Sequence, residues 1–420
     1  MDPAVITLIV LAVVAFLFIT ELIPIAVTAM SASVSLTICG ILSVSDCFAG
    51  FSNPTVILFA GMFVVGAAML DSGLAQSVGK YVVDKVGTKE FPLMAALMGV
   101  TIVMSAFESN TGTVACLMPM VLGLCLSANI PAAALLMALA VAANTGCNLT
   151  MVGTPPNMLA VAALENAGFE PFGFFEFAII GGPIAIASML FMLYIGRKIL
   201  PTHLVDTSMM EDDSGHVVIG SKKQRILALL ILIYVVGGLI IGIPGLTPAM
   251  VAVSGALLCV LTRCITEKQA YHGIDWTTIF LFAGMLPLAT ALEQTGAGEM
   301  VANAVIAVMG DTPSDLVMMS VLFLISCGLT QFMPNTATAA LLIPIGFSIS
   351  EKLQISPHAV TMAITIAASC SFATPVATPP NTIIMSPAGL HFMDYIKVGL
   401  PLCIISFILC VLIVPNVWEF

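Results

Sequence analysis

The sequence predicts an all-α polytopic membrane protein of about ten transmembrane helices plus two re-entrant hairpins, built as two inverted-topology repeats. Three observations predict it. The 420 residues are 60% apolar and 8% charged, with mean hydropathy +1.12, whereas soluble domains carry about 25% charged residues. Short motifs recur in one order half a chain later. The few basic residues sort to one side of the membrane once the crossings are traced.

The motif Ser109-Asn110-Thr111, set in a long apolar run, returns as Pro334-Asn335-Thr336; the two Asn-Thr pairs lie 225 positions apart (335 − 110). Leu58-Phe59-Ala60-Gly61-Met62 returns as Leu281-Phe282-Ala283-Gly284-Met285, and Thr154-Pro155-Pro156-Asn157 as Thr378-Pro379-Pro380-Asn381. Pro119 matches Pro344, and Ala29-Met30 matches Ala249-Met250. The expected units are a first inverted repeat over 1–200, a linker over 201–224 and a second repeat over 225–420.

The first repeat opens with apolar runs Val5–Thr20, Ile25–Leu42 and Pro54–Leu70, read as crossings. Met1-Asp2-Pro3 lacks the basic stretch of a secretory signal, so the first run is expected to stay as a helix. Gly73–Glu90 is milder and carries Lys80, Asp84, Lys85 and Lys89, as a helix lying in the interface would. Phe91–Ser127 holds the Ser109-Asn110-Thr111 knot at its middle. Its first leg, Leu93–Phe107, spans about 22 Å as a helix, short of the roughly 30 Å hydrocarbon core. A re-entrant hairpin is therefore expected, with the knot at its tip. Pro131–Glu165 is interrupted by Asn144-Thr145-Gly146, Asn148 and the paired prolines. Paired prolines remove backbone donors, so this reads as a broken helix. Phe172–Ile199 closes the repeat. Pro201–Gln224, the one long polar stretch, is the linker.

The second repeat follows the same plan: crossings Arg225–Ile243, Pro248–Leu261 and Trp276–Leu292, an interfacial stretch Gly296–Met309, a hairpin Leu316–Ile349, a broken helix Ala359–Leu390 and a last helix Tyr395–Val414. Five crossings per repeat is odd, so the repeats are expected to be inverted. Lys80, Lys85, Lys89, Arg197, Lys198, Lys222, Lys223, Arg225, Arg263, Lys268 and Lys397 then share the linker's side, and only Lys352 falls opposite. The positive-inside rule puts the linker in the cytoplasm and both termini outside, in a cell (plasma or inner) membrane.

Composition excludes some functions. Twelve basic residues against a net charge of −11 cannot build a nucleic-acid surface. The eleven Cys and 26 Met are scattered in apolar runs, with no Cys-x-x-Cys, and read as packing residues. No His-Glu-x-x-His or Gly-x-Ser-x-Gly occurs, and none of the five His lies near a tip. The protein is not expected to be an enzyme.

The chemistry is expected at the two tips and two breaks. Crossings almost free of Lys and Arg offer an anion no cationic clamp. They offer helix N-termini, backbone N–H groups, Asn and Thr side chains and bound cations. Asn carbonyls and Ser and Thr hydroxyls are hard oxygen ligands suited to Na⁺. Two duplicated sets suggest two cation sites flanking one anion. Glu108 is open to two readings, a proton or cation site or a side chain reaching the cytoplasmic face; the second is favoured because the other tip has Met333 there.

Ser109-Asn110-Thr111, Pro334-Asn335-Thr336 and the paired Thr-Pro-Pro-Asn elements resemble the divalent anion/sodium symporter family, the dicarboxylate, tricarboxylate and sulfate carriers of the ion transporter superfamily. The resemblance covers nearly the whole chain. It implies a homodimer working by an elevator mechanism, with a fixed scaffold (1–87 and 225–310) and a moving transport part (91–200 and 313–420). It implies a first Na⁺ held around Ser105, Ser109, Asn110 and Gly153, and a second around Thr330, Asn335 and Ala377. It implies anion contacts from Ser109, Asn110, Thr111, Thr154, Asn335, Thr336, Thr378 and Pro379. Pro334 stands where the family often has Ser, which removes one hydroxyl from the second tip. The implied activity is Na⁺-coupled import of a small dianion, such as succinate, malate or fumarate. Na⁺-independent exchange, carriage of sulfate or citrate, and a channel are the alternatives.

Overall fold

The computed structural model describes residues 2–20, 22–74, 77, 85–87, 89–128, 130–202, 221–309 and 314–418. Their regular structure is entirely helical. Most of the expected interfacial stretch Gly73–Glu90, and linker residues 203–220, lie outside the described residues.

The first half runs α1 (Pro3–Thr20), α2 (Ile25–Ile38), α3 (Val44–Phe48) and α4 (Pro54–Asp71). Two caps set the last two starts. Ser43 and Asp46 form a capping box on α3. The Asn53 side chain accepts from Thr55 N, with Pro54 in the first turn of α4, where a missing N–H costs nothing. The first hairpin is α5 (Glu90–Ser105) and α6 (Asn110–Ala128). The first broken helix is α7 (Ala132–Gly146) and α8 (Pro155–Asn166). α9 (Ala178–Ile199) follows, with a π-type turn over Met192–Gly196.

The second half runs α10 (Lys222–Ile241), α11 (Pro248–Leu261), α12 (Glu267–Gly273), α13 (Trp276–Thr295) and α14 (Ala297–Met309). α15 (Asp315–Leu329) and α16 (Asn335–Leu353) make the second hairpin. α17 (Pro357–Ala368) and α18 (Pro379–Met385) make the second broken helix, and α19 (Phe392–Val417) ends the chain.

The short helices α3 and α12 lie where a plain connection was expected. α10 begins three residues before the expected Arg225, because Ser221 and Gln224 form a capping box around its first turn. Of the expected crossings, seven described helices are individually long and apolar enough to span a bilayer. α2 and α13's partner-in-sequence α11 have only 14 residues each, and the fourth crossing of the second half is split at its break.

The helices form two bundles. α1, α2, α4, α10, α11 and α13 pack together, with α4 against α11 and α2 against α13 as the largest contacts. Small residues allow the close approach that drives helix association in lipid. A Cβ on Gly61 would lie 2.8 Å from the Ala252 carbonyl carbon, and one on Gly284 would lie 2.5 Å from that of Ala29. Phe59 and Phe282, equivalent positions of the duplicated motif, meet edge to face with centroids 4.8 Å apart. α5–α9 and α15–α19 form the second bundle. Its core is closed from the surface: every residue of α7 is buried.

Matched hydrogen bonds hold the two tips to the two breaks. Ser105 Oγ donates to Ala143 O, and Thr330 Oγ1 to Ala368 O, each across 38 positions. Thr150 Oγ1 donates to Ala106 O, and Thr374 Oγ1 to Gln331 O. Asn157 Nδ2 donates to Thr150 O at 2.8 Å, and Asn381 Nδ2 to Thr374 O at 2.9 Å. Ala106 O and Gln331 O at the tips, and Thr150 O and Thr374 O in the breaks, lie outside the helices and gain their partners this way.

Candidate functional site

A cavity of about 810 Å³ lies between the bundles. Both tips and both breaks reach it: Ser109, Asn110 and Thr111; Gly153 and Thr154; Pro334, Asn335 and Thr336; Ala377, Thr378 and Pro379. The opposite wall is α4, through Phe59, Met62, Phe63, Gly66 and Leu70, with Asp275, Thr277 and Thr278 at the start of α13. Asn110, Pro155, Asn335 and Pro379 are the first residues of α6, α8, α16 and α18. Four helices therefore begin at the cavity. Among the described residues, no Lys, Arg or His lines it.

The structure thus brings ten of the expected site residues to one cavity. The other two, Ser105 and Thr330, lie just behind the tips, fully buried, and do not line it. Ser105 spends its proton on Ala143 O at 2.7 Å, so its lone pairs remain as acceptors. Thr330 has one proton and two acceptors in reach, Ala368 O and Asn335 Oδ1. Donating to Ala368 O leaves both its own oxygen and Asn335 Oδ1 free for a cation. Asn110 Oδ1 accepts from Thr111 N at 2.9 Å and keeps a lone pair. These oxygens are hard and neutral, the donor chemistry that Na⁺ takes. Gly153 is required by close approach: a Cβ there would sit 2.4 Å from Cys147 O.

Glu108 is a correction. The favoured reading needs a side chain that extends to an exposed surface, and this one does not. The first tip is wedged against α4, so the side chain is 8% exposed and lines the cavity. Its Oε2 has no hydrogen-bond partner among the described residues. The carboxyl group fits there because Gly66 and Gly112 lack side chains.

Sequence reasoning missed Asn144, Asn157 and Asn381, which do not line the cavity but bond the residues and loops around it. Asn110 Nδ2 donates to Asn144 Oδ1 at 2.9 Å, and Asn144 Nδ2 to Asn381 Oδ1 at 3.0 Å. Asn144 was visible as a polar residue in an apolar helix. The other two end the duplicated Thr-Pro-Pro-Asn motif. A buried polar group needs a partner, and that was the usable signal.

Comparisons with known proteins agree with this architecture. The family profile described as CitMHS, citrate transporter, matches residues 15–350 and 299–419. The chain is 23% identical to the uncharacterized transporter YfbS of Escherichia coli, covering 98% of each. It is 26% identical to the sodium-dependent dicarboxylate transporter SdcS of Staphylococcus saprophyticus, over 94% of this chain and 83% of that protein. Two solved structures share the fold. The YdaH transporter of Alcanivorax borkumensis has 13% identity and a TM-score of 0.66, covering 99% of this chain and 98% of that one. MtrF of Neisseria gonorrhoeae has 15% identity and a TM-score of 0.60, covering 100% and 95%. With a profile matched along nearly its whole length, a fold shared with membrane transporters and one cavity between two helical bundles, this chain belongs to the CitMHS citrate transporter family and is a multi-pass membrane transporter, not an enzyme.

Proposed function

We propose that this transporter imports a small dianion, a C4-dicarboxylate such as succinate, malate or fumarate, coupled to inward Na⁺. One observation carries the reading: two tips and two breaks meet at a cavity that no cationic side chain among the described residues lines. Each helix N-terminus carries roughly half a positive charge. Those partial charges fall off within the first turn, so a dianion needs further positive charge close by. Two Na⁺ held on neutral oxygens supply it, which makes anion binding depend on Na⁺. The first sits around Ser105, Ser109, Asn110 and Gly153, and the second around Thr330, Asn335 and Ala377. The anion takes Ser109, Asn110, Thr111, Thr154, Asn335, Thr336, Thr378 and Pro379. The similarity to a protein named as a sodium-dependent dicarboxylate transporter supports this.

Two Na⁺ with one dianion is electroneutral, so voltage contributes nothing. A tenfold Na⁺ gradient gives about 1.4 kcal/mol per ion, enough for about 100-fold accumulation. A third Na⁺ would add about 2.3 kcal/mol per 100 mV. In this reading residues 1–87 and 225–310, with α1–α4 and α10–α14, are the scaffold of a homodimer. The hairpins and broken helices move as an elevator between inverted repeats, with the linker cytoplasmic.

The test is uptake of labelled succinate into proteoliposomes under inward Na⁺ or K⁺ gradients. Uptake is expected only with Na⁺. Equal uptake that requires internal substrate would favour Na⁺-independent exchange, and competition by sulfate or citrate over succinate would reassign the anion.

A further inference from the structure

We infer that Asn144 is a positioning residue that couples the first cation site to the second broken helix. This rests on the Na⁺ reading above. The argument is one of donors and acceptors, and it starts at the far end. Asn381 Nδ2 donates to Ser371 O and Thr374 O, both at 2.9 Å. Carbonyls only accept, so the backbone of the second break dictates the orientation of the Asn381 amide. Its Oδ1 must therefore accept, and Asn144 must turn its Nδ2 toward it. Asn144 Oδ1 is then left for Asn110, which has to donate with Nδ2. That places Asn110 Oδ1, the oxygen offered to the first cation, on the side of Thr111. Three amides thus carry an orientation from one repeat to the other. Asn144 is 1% exposed and Asn381 is 3% exposed, so water cannot take over either partner's role.

The duplication sharpens the point, because the mirror relay is not made. The position matching Asn144 is Ser369, 225 later (369 − 144). Among the described residues the Ser369 hydroxyl is buried without a partner, and so is Asn157 Oδ1, the counterpart of Asn381 Oδ1. Asn157 still pins its own break through Nδ2. Pinning a break therefore does not require a relay. The Asn144 relay is an addition: one chain of amides joins the first site to the second break, with no mirror copy, and the coupling it carries is reciprocal. A movement of the second break on Na⁺ binding reorients Asn381, and the amide chain shifts Asn110 Oδ1 with it. The two cations bind cooperatively as a result.

The test is Na⁺-dependent succinate uptake in proteoliposomes, with saturating succinate and Na⁺ titrated. Wild type is expected to give a Hill coefficient above 1. Asn144→Ser places in the first half the residue that the second half already carries in the same setting, and Asn144→Leu is its apolar isostere. Both are expected to lower the Hill coefficient to about 1 and to raise half-saturating Na⁺, within the roughly 5- to 150-fold range of ordinary site coupling. Maximal uptake at saturating Na⁺ should stay within about twofold. A merely structural role would lower maximal uptake and leave the Hill coefficient alone, and that result overturns the inference. Should Asn144→Leu fail to fold, Asn144→Ser with an unchanged Hill coefficient overturns it equally. A wild type indifferent to Na⁺ would sink the Na⁺ reading itself, and the coupling with it.

Discussion

The carboxyl group of Glu108 occupies the space that a side chain on Gly66 would need. A Cβ at Gly66 would lie 2.9 Å from Glu108 Oε2 and 3.2 Å from Cδ. One residue belongs to the first hairpin tip and the other to α4 in the opposite bundle, so this notch is a point where the two bundles register.

Gly66→Ala should displace the carboxyl and cost toward the low end of the roughly 1–3 kcal/mol of an overpacked site, because a flexible side chain can give way. Gly66→Leu should abolish uptake. Gly66→Ala combined with Glu108→Ala should recover part of the Gly66→Ala loss, since contacting residues couple by about 0.5–3 kcal/mol. Strictly additive effects in a double-mutant cycle of thermal stability would show that the notch is not a contact that matters.

Gly153→Ala faces a backbone oxygen rather than a side chain. At 2.4 Å from Cys147 O the loop between α7 and α8 must shift. Loss of the Na⁺-induced rise in thermal midpoint is expected. Gly123, with nothing within 4 Å of its Cβ position, is the matched control. Gly123→Ala should leave uptake unchanged.

Asn110→Ala and Asn335→Ala should each raise the Na⁺ concentration needed for half-maximal succinate uptake by about tenfold or more, the size of one lost hydrogen-bond-strength ligand of about 1.5 kcal/mol. Wild-type Na⁺ dependence in both variants would remove the cation assignment.

Thr55 Oγ1 donates to Glu165 Oε2 at 2.6 Å, and Asn53 Nδ2 to Asn166 Oδ1 at 3.0 Å. These bonds join the start of α4 to the end of α8. Thr55→Val should lower the thermal midpoint by a few degrees, since bonds to charged groups contribute about 1.5–3 kcal/mol. The increment produced by succinate should persist, because neither residue lines the cavity. Loss of that increment in differential scanning fluorimetry would mean the contact does more than hold the bundles together.

Lys352 Nζ lies 2.7 Å from Glu299 Oε1. The ammonium group holds the Glu299 carboxyl below its ordinary value. A depressed folded value means the pairing supports the fold above the unfolded value and is lost as pH falls through the folded one. Lys352→Met should therefore matter at neutral pH and become indistinguishable from wild type in acid. The pair is exposed and screened by salt, so the difference at pH 7 should be small and vanish in high salt. A thermal-midpoint difference that survives in acid would contradict this.

Much of the fold was legible. Every apolar run became a helix, and the Ser109 and Asn335 knots became hairpin tips at helix starts, because an apolar chain in lipid must bond its own backbone. The breaks were legible because Pro155-Pro156 and Pro379-Pro380 cannot continue a helix. α3 and α12 were not foreseen, since their five and seven residues are too short for a periodicity to show. Glu108 was misplaced for a different reason. Its neighbours in sequence say nothing about the glycine on α4 that makes room for it.

What the sequence determined by itself was the solvent and the plan: an apolar chain for lipid, and motifs that recur half a chain later and mark two tips and two breaks. Those follow from composition and order, which act locally. The tertiary structure decided which interruptions meet, and it ran the Asn110–Asn144–Asn381 chain across the halves while leaving Ser369 and Asn157 Oδ1 unpartnered among the described residues. Hydrogen bonds between residues 237 positions apart depend on how the broken helices of the two halves pack within one bundle, and no local pattern in the chain encodes that distance.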